Sequence, residues 1–166
     1  PVTQTVMGYS SIKKDHTHDL GTIGGLGGKA ANNLSKETYT AIAIGTKLAD
    51  FTTGSWANFE NPNFKLVSIN AARFDANKHM AQAIVGDAKV SLMELSQALG
   101  SWKADDNWYK KSRKELKNWE AYVDKESGQT NQKLPSYAQV IGACYRNAEP
   151  TDIAVTAAGG VVADVI

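Results

Sequence analysis

Glycines at 21, 24, 25, 27 and 28, followed by Lys29, Ala30 and Ala31, form the first stretch whose residue types could do chemistry. So many glycines permit tight turns and close backbone approach, and free N–H groups opening a helix suit an anionic group. Gly25-x-Gly27-x-x-Ala30 has the spacing of a dinucleotide fingerprint, but that fingerprint must follow a strand directly. What precedes it here reads as loop. Gly28-Lys29 has the outline of a phosphate-binding loop, yet Ala30 stands where a magnesium-binding Ser or Thr is required and Ile23 where the first glycine belongs, so that reading fails. Asp15, His16 and His18 are metal-ligating types, but no second cluster completes a site, and they read as solvated loop residues. A further stretch is the loop Gly45 to Gly54, which follows the apolar run Ala41-Ile42-Ala43-Ile44. A strand apolar on both faces is expected at the centre of a parallel sheet. Ligands of such sheets sit beyond the carboxyl ends of the strands. The loop therefore either receives a small molecule or only reverses the chain. Asn70, at the tip of a later strand, stands where nucleotide-binding folds meet a ribose hydroxyl.

The elements that must position these residues follow from periodicity. Pro1 to Val6 reads as a strand, Met7 to Gly28 as loop and Lys29 to Glu37 as a short helix. Between Asp50 and Phe64 a short helix is expected to end at Asn61-Pro62, with Trp56, Phe59 and Phe64 among turn formers. Leu66 to Ile69 and Ala83 to Val85 are strands, with a brief helix or turn over Phe74 to Met80. Asp87 is placed to cap a helix over Ala88 to Leu99, whose Val90, Leu92, Met93, Leu95 and Leu99 form a broad apolar face. This alternation predicts an α/β fold with a parallel, doubly wound, Rossmann-like sheet and flanking helices. From Asp105 to Ser127 a long charged helix carries one stripe of Trp108, Ser112, Leu116, Trp119 and Val123. Such a rod cannot bury both tryptophans without a partner surface, and unburied they would favour dimerisation. Leu134-Pro135-Ser136 opens a last helix through Asn147, with Tyr137, Val140, Ile141, Ala143 and Cys144 inward, and Ile153 to Thr156 is expected as a strand.

Composition narrows the classes. The 166 residues are 42% hydrophobic, which allows a buried core, and 18 basic against 17 acidic residues leave a net charge of +1. No field favours nucleic acid or an anionic membrane, so neither is expected as a partner. Cys144 is the single cysteine, which excludes an internal disulfide and fits a reducing compartment. Within an apolar helical run it reads as a buried structural thiol rather than a nucleophile. With no run long enough to span a bilayer, a cytoplasmic protein is the expectation.

The residues also carry a family resemblance. Asp15-His16 with Leu20-Gly21, Ala30-Ala31-Asn32, the run Ile44 to Trp56, Ile69-Asn70 and Gly86-Asp87-Ala88 resemble the central domain of thiamine-diphosphate-dependent enzymes, among them acetolactate synthase, pyruvate oxidase and oxalyl-CoA decarboxylase. Asp50 to Trp56, Leu134 to Ala143 and Thr156 to Gly160 are more similar to the branch that hydrolyses a carbon–carbon bond of a cyclic diketone in inositol catabolism. The resemblance implies thiamine diphosphate as catalyst, with magnesium holding its diphosphate, while the protein orients and shields it. It places the activating Glu in an N-terminal domain and the Gly-Asp-Gly magnesium motif in a C-terminal one, neither of which is in this sequence. The chain is then expected to be a piece cut at both ends, inactive alone, whose partners are those missing domains and further copies in a homo-oligomer. Residues 1–100 would be the central domain lacking its first strand-helix unit, 101–133 a connector helix and linker, and 134–166 the truncated start of the cofactor-binding domain. Some relatives hold FAD or ADP in the central domain. Their contacts would fall here on Gly45, Thr46 and Lys47, on Asn70 and Ala71, and on Gly86, Asp87 and Ala88. Asn70 replaces the acidic residue common at its position, and Val161 to Ile166 depart from the Leu-Pro-Gly-Glu-like run of the hydrolases.

Overall fold

The computed structural model describes residues 1–13 and 15–155. Strands β1 (Val2–Gln4) and β2 (Asp19–Thr22) pair in parallel, with Val2 opposite Asp19 and Gln4 opposite Thr22. Helix α1 (Lys29–Glu37) leads to a second parallel sheet, built from β3 (Thr40–Ile44), β4 (Lys65–Asn70) and β5 (Gln82–Val85). Short helices α2 (Asp50–Thr53) and α3 (Arg73–Ala76) fill its connections, and α4 (Ala88–Leu99), α5 (Asp106–Glu126) and α6 (Tyr137–Asn147) follow. The fold is thus α/β, parallel sheets with flanking helices, as the alternation predicts.

Local chemistry sets the helix starts. Asp87 Oδ1 accepts from the Val90 amide at 3.0 Å, and Asp105 Oδ1 from that of Asn107 at 2.7 Å. Ser136 and Gln139 form a reciprocal capping box, each side chain bonded to the other's backbone N–H.

The structure departs from the sequence expectations in several places. β1 stops at Gln4 and Val6–Gly8 is a 3₁₀ turn, so Pro1 to Val6 is not one strand. Met7 to Gly28 is not all loop, because β2 lies inside it. β3 is an edge strand with Ile42 and Ile44 exposed, and the central strand is β4, flanked by β3 and β5. Helix α2 ends at Thr53, where Gly54 takes the left-handed conformation (φ +58°), far short of Asn61-Pro62. In α6 only Ile141 and Gly142 are buried; Tyr137, Val140, Ala143 and Cys144 face out. Residues Ile153 to Val155 form no strand. Thr156 to Gly160 and Val161 to Ile166 lie outside the described residues.

The partner surface that α5 needs is α1. Leu20, Ile23, Ala31 and Leu34 form a buried cluster, and Phe59, Trp108 and Leu116 pack against it. Burying each aliphatic side chain contributes roughly 1.5–3 kcal/mol, and Ser112, fully buried, lets α5 approach closely while its Oγ donates to the Tyr109 carbonyl at 2.7 Å. Polar contacts fix the register: Asn33 donates to Glu115 at 3.3 Å, Lys111 pairs with Glu37, and Arg113 donates to the Thr17 carbonyl at 3.1 Å. Lys29 sits 4.3 Å over the Tyr122 ring, and Trp119 lies against Gly28. Trp108 and Trp119 are therefore half-buried within the chain, and the dimerisation argument drawn from their exposure lapses. Among the described residues, no helix is long and apolar enough to cross a membrane.

Candidate functional site

The carboxyl ends of β3, β4 and β5 come together because the three strands are parallel and in register, Ile44 beside Ile69 beside Ile84. That register brings every predicted nucleotide-contact residue to one edge. Gly45 follows β3 with φ +63°, a conformation glycine adopts without penalty, and its N–H donates to the Ile69 carbonyl at 2.9 Å. Thr46 Oγ1 accepts from the Leu48 amide at 3.2 Å, and Lys47 beside it is exposed. Gly86 closes β5, donating to the Asn70 carbonyl at 3.3 Å, and Asp87 and Ala88 open α4.

Asn70, only 9% exposed, is the clamp of this edge. Its amide nitrogen donates to the Thr46 carbonyl at 3.1 Å and its oxygen accepts from the Ala72 amide at 2.9 Å, so one side chain ties the loop after β3 to the loop after β4. Asn70→Ala is expected to destabilise the chain by about 1–2 kcal/mol, the net worth of two such bonds. Asn70→Asp keeps the Ala72 bond but sets an oxygen against the Thr46 carbonyl. Chemical denaturation should show both variants weakened, and unchanged midpoints for both would refute the clamp.

The glycine loop has a different job. A strand does lead into it, since β2 ends at Thr22. Its glycine N–H groups, however, are taken within the chain: Gly24 donates to Asn32 Oδ1 at 2.9 Å, Gly25 to the Phe51 carbonyl at 2.7 Å, Gly27 to the Gly24 carbonyl at 2.9 Å and Gly28 to the Thr22 carbonyl at 3.0 Å. The space a diphosphate would need is also filled. A Cβ on Gly24 would stand 2.2 Å from the Phe51 carbonyl oxygen, and one on Gly28 would stand 2.8 Å from the Trp119 indole nitrogen. This loop does not fit a phosphate group; it is a packing device.

Asn32 organises that loop, a role that its place in the family resemblance does not disclose. Its Nδ2 donates to the carbonyls of Gly24, at 2.9 Å, and Gly27, at 3.4 Å, and its Oδ1 also accepts from Asn58 Nδ2 at 3.1 Å. An Asn in the first turn of a helix, just after a glycine run, was the available signal, because such a side chain reaches back to loop backbone more readily than it supports a helix interior.

The histidine pair is accounted for by packing. His16 Nδ1 accepts from the His18 amide at 3.2 Å, and His18 meets the Tyr109 ring edge-on at 5.0 Å. Among the described residues, no group of three or more His, Cys, Asp or Glu side chains is placed to hold a metal ion. Cys144 is exposed, which corrects the expectation of a buried thiol. A concavity of about 510 Å³ lies between Tyr39, Pro62 and Lys65, at the amino ends of β3 and β4 and thus opposite the clamp.

Comparison with known proteins bears on these features. The model of the thiamine pyrophosphate enzyme central domain matches residues 1–95. The chain is 41% identical over 99 residues to the 3D-(3,5/4)-trihydroxycyclohexane-1,2-dione hydrolase of Clostridium perfringens (strain 13 / Type A), covering 60% of this chain and 16% of that protein. It is 40% identical over 99 residues to a Bacillus cereus hydrolase of the same name, covering 60% of this chain and 15% of that protein. The Bacillus anthracis hydrolase is 40% identical over the same length, with the same 60% and 15% covered. The matched stretch is therefore a small part of the length of these relatives.

Proposed function

This chain belongs to the thiamine pyrophosphate enzymes through their central domain, and on that premise we propose that it is part of a larger carbon–carbon hydrolase that opens the ring of trihydroxycyclohexane-1,2-dione. The observation that carries the proposal is the 40–41% identity to relatives bearing that hydrolase name. Thiamine diphosphate, held with magnesium by other parts of the protein, supplies the bond-breaking chemistry, and this chain's residues supply rigidity. In this reading residues 1–100 are the central domain, 101–133 a connector, and 134–166 the start of the cofactor-binding domain. The whole is a cytoplasmic homo-oligomer.

The closed glycine loop supports a scaffold role, since its backbone donors are spent on Asn32, Phe51 and Thr22. Should a nucleotide such as FAD or ADP bind this domain, its contacts would be Gly45, Thr46, Lys47, Asn70, Ala71, Gly86, Asp87 and Ala88 at the sheet's carboxyl edge.

Full-length protein, stripped of cofactors and then given thiamine diphosphate and magnesium, tests the proposal. We expect it to consume the cyclic dione and to leave pyruvate untouched. Consumption of pyruvate with no action on the dione would instead assign the chain to an acetolactate-synthase-like carboligase.

A further inference from the structure

We propose that His79 is a latch joining the loop after β3 to the turn that leads into the amino end of β5, and that its release frees that loop. His79 lies in the turn Lys78–Met80, and its Nε2 stands 3.1 Å from the Leu48 carbonyl oxygen. A carbonyl only accepts, so Nε2 carries the proton of this bond. The imidazole also stacks on Trp56, with ring centroids 4.3 Å apart and planes 24° from parallel. Trp56 in turn meets Phe59 at 5.2 Å, and Phe59 packs on the buried cluster around Leu20. One side chain therefore links two loops and, through an aromatic relay, anchors both to the core.

The backbone on both sides of this contact is strained. Leu48 (φ +46°), Ser55 (+52°), Trp56 (+74°), His79 (+56°) and Met80 (+54°) all occupy the left-handed region without being glycine. Each such residue costs roughly 1 kcal/mol or more, and persists only where the surroundings over-determine it. These five lie on the two segments that His79 joins, whereas the other two non-glycine residues with positive φ, Ser10 and Asp15, lie in the stretch before β2. Strain thus opposes the clasped arrangement while the bond to Leu48 and the stack on Trp56 hold it, which is the composition of a two-state element. The segment held in this way begins next to Thr46, whose carbonyl the Asn70 clamp grips. The latch accordingly holds the loop after β3 against the turn that enters β5.

Hydrogen exchange on the full-length protein tests the latch. His79→Ala should speed amide exchange in residues 46–56 by about tenfold, the factor expected for losing one net hydrogen bond and one ring stack, while residues 29–37 and 65–70 exchange as before. His79→Gly removes the same contacts and also relieves the positive φ at 79. It should loosen 46–56 equally, with a thermal midpoint no lower than that of His79→Ala. Unaltered exchange in 46–56 in both variants, or acceleration spread equally over 29–37 and 65–70, would overturn the proposal.

Discussion

Replacing Gly24 by Ala is expected to remove a large share of the stability of this chain. The added Cβ would lie 2.2 Å from the Phe51 carbonyl oxygen, 2.9 Å from Thr52 Cα and 3.0 Å from the Thr52 carbonyl oxygen. All three are main-chain atoms, so no rotamer change relieves the collision. The same displacement would break the bond from the Gly25 N–H to that Phe51 oxygen, and φ +113° is itself a conformation that only glycine adopts freely. Overpacking, backbone strain and a lost hydrogen bond together should cost about 3–5 kcal/mol, against a typical domain stability of roughly 5–15 kcal/mol. Gly21→Ala is the control. Its φ of +78° is also positive, yet a Cβ there meets nothing within 4 Å, so strain alone should cost about 1 kcal/mol. Urea denaturation of the two variants separates contact from conformation, and equal midpoints would contradict the packing role given to the glycine loop.

Asn32→Ala should have the next largest effect. The substitution strips the acceptor from the Gly24 N–H and from Asn58 Nδ2, and the donor from the Gly24 carbonyl. Gly24 and Asn58 are buried, Asn58 being 6% exposed, so water does not replace the lost partner. Stranding buried polar groups costs about 1–3 kcal/mol each, and the loop can relax to recover part of that, which places the loss at about 2–4 kcal/mol. Because Asn32 and Asn58 share a bond, the double variant Asn32→Ala with Asn58→Ala should cost less than the two single variants added together, with coupling of about 1 kcal/mol. Strict additivity would show that the amide pair does not act as a unit.

What was legible in the sequence was local. Asp87, Asp105 and Ser136 were readable as helix starts because a cap involves only residues two or three positions ahead. The parallel α/β class was readable because alternating apolar strands and short helices leave few other topologies. Interactions between distant segments were not. β2 escaped notice because Asp19-Leu20-Gly21-Thr22 lacks a run of strand-forming residues and is held as a strand by pairing with β1. The central place went to β4 rather than β3 because its neighbours on both sides are set by chain topology, which apolarity alone does not encode. Gly28 looked like a ligand loop because its real neighbour, the Trp119 ring, arrives on a helix that the sequence showed only as an isolated amphipathic rod.

The candidate site divides the same way. Strand tips mark where loops meet, so Gly45, Asn70 and Gly86 were readable as one edge. The fate of each donor and acceptor there was not, because Asn70 is bound to Thr46 and Ala72 on different loops. His79 offered no signal at all, since neither its left-handed backbone nor its stack on Trp56 follows from residue type.

The central claim is that this domain serves a hydrolase, and the direct test is turnover of the cyclic dione by full-length protein, with thiamine diphosphate and magnesium, in ¹⁸O-labelled water. The account predicts an open-chain acid with the carbon count of the substrate plus one water, labelled in its new carboxylate. A product with more carbons than the dione, or an acid formed at the same rate without thiamine diphosphate, would contradict it.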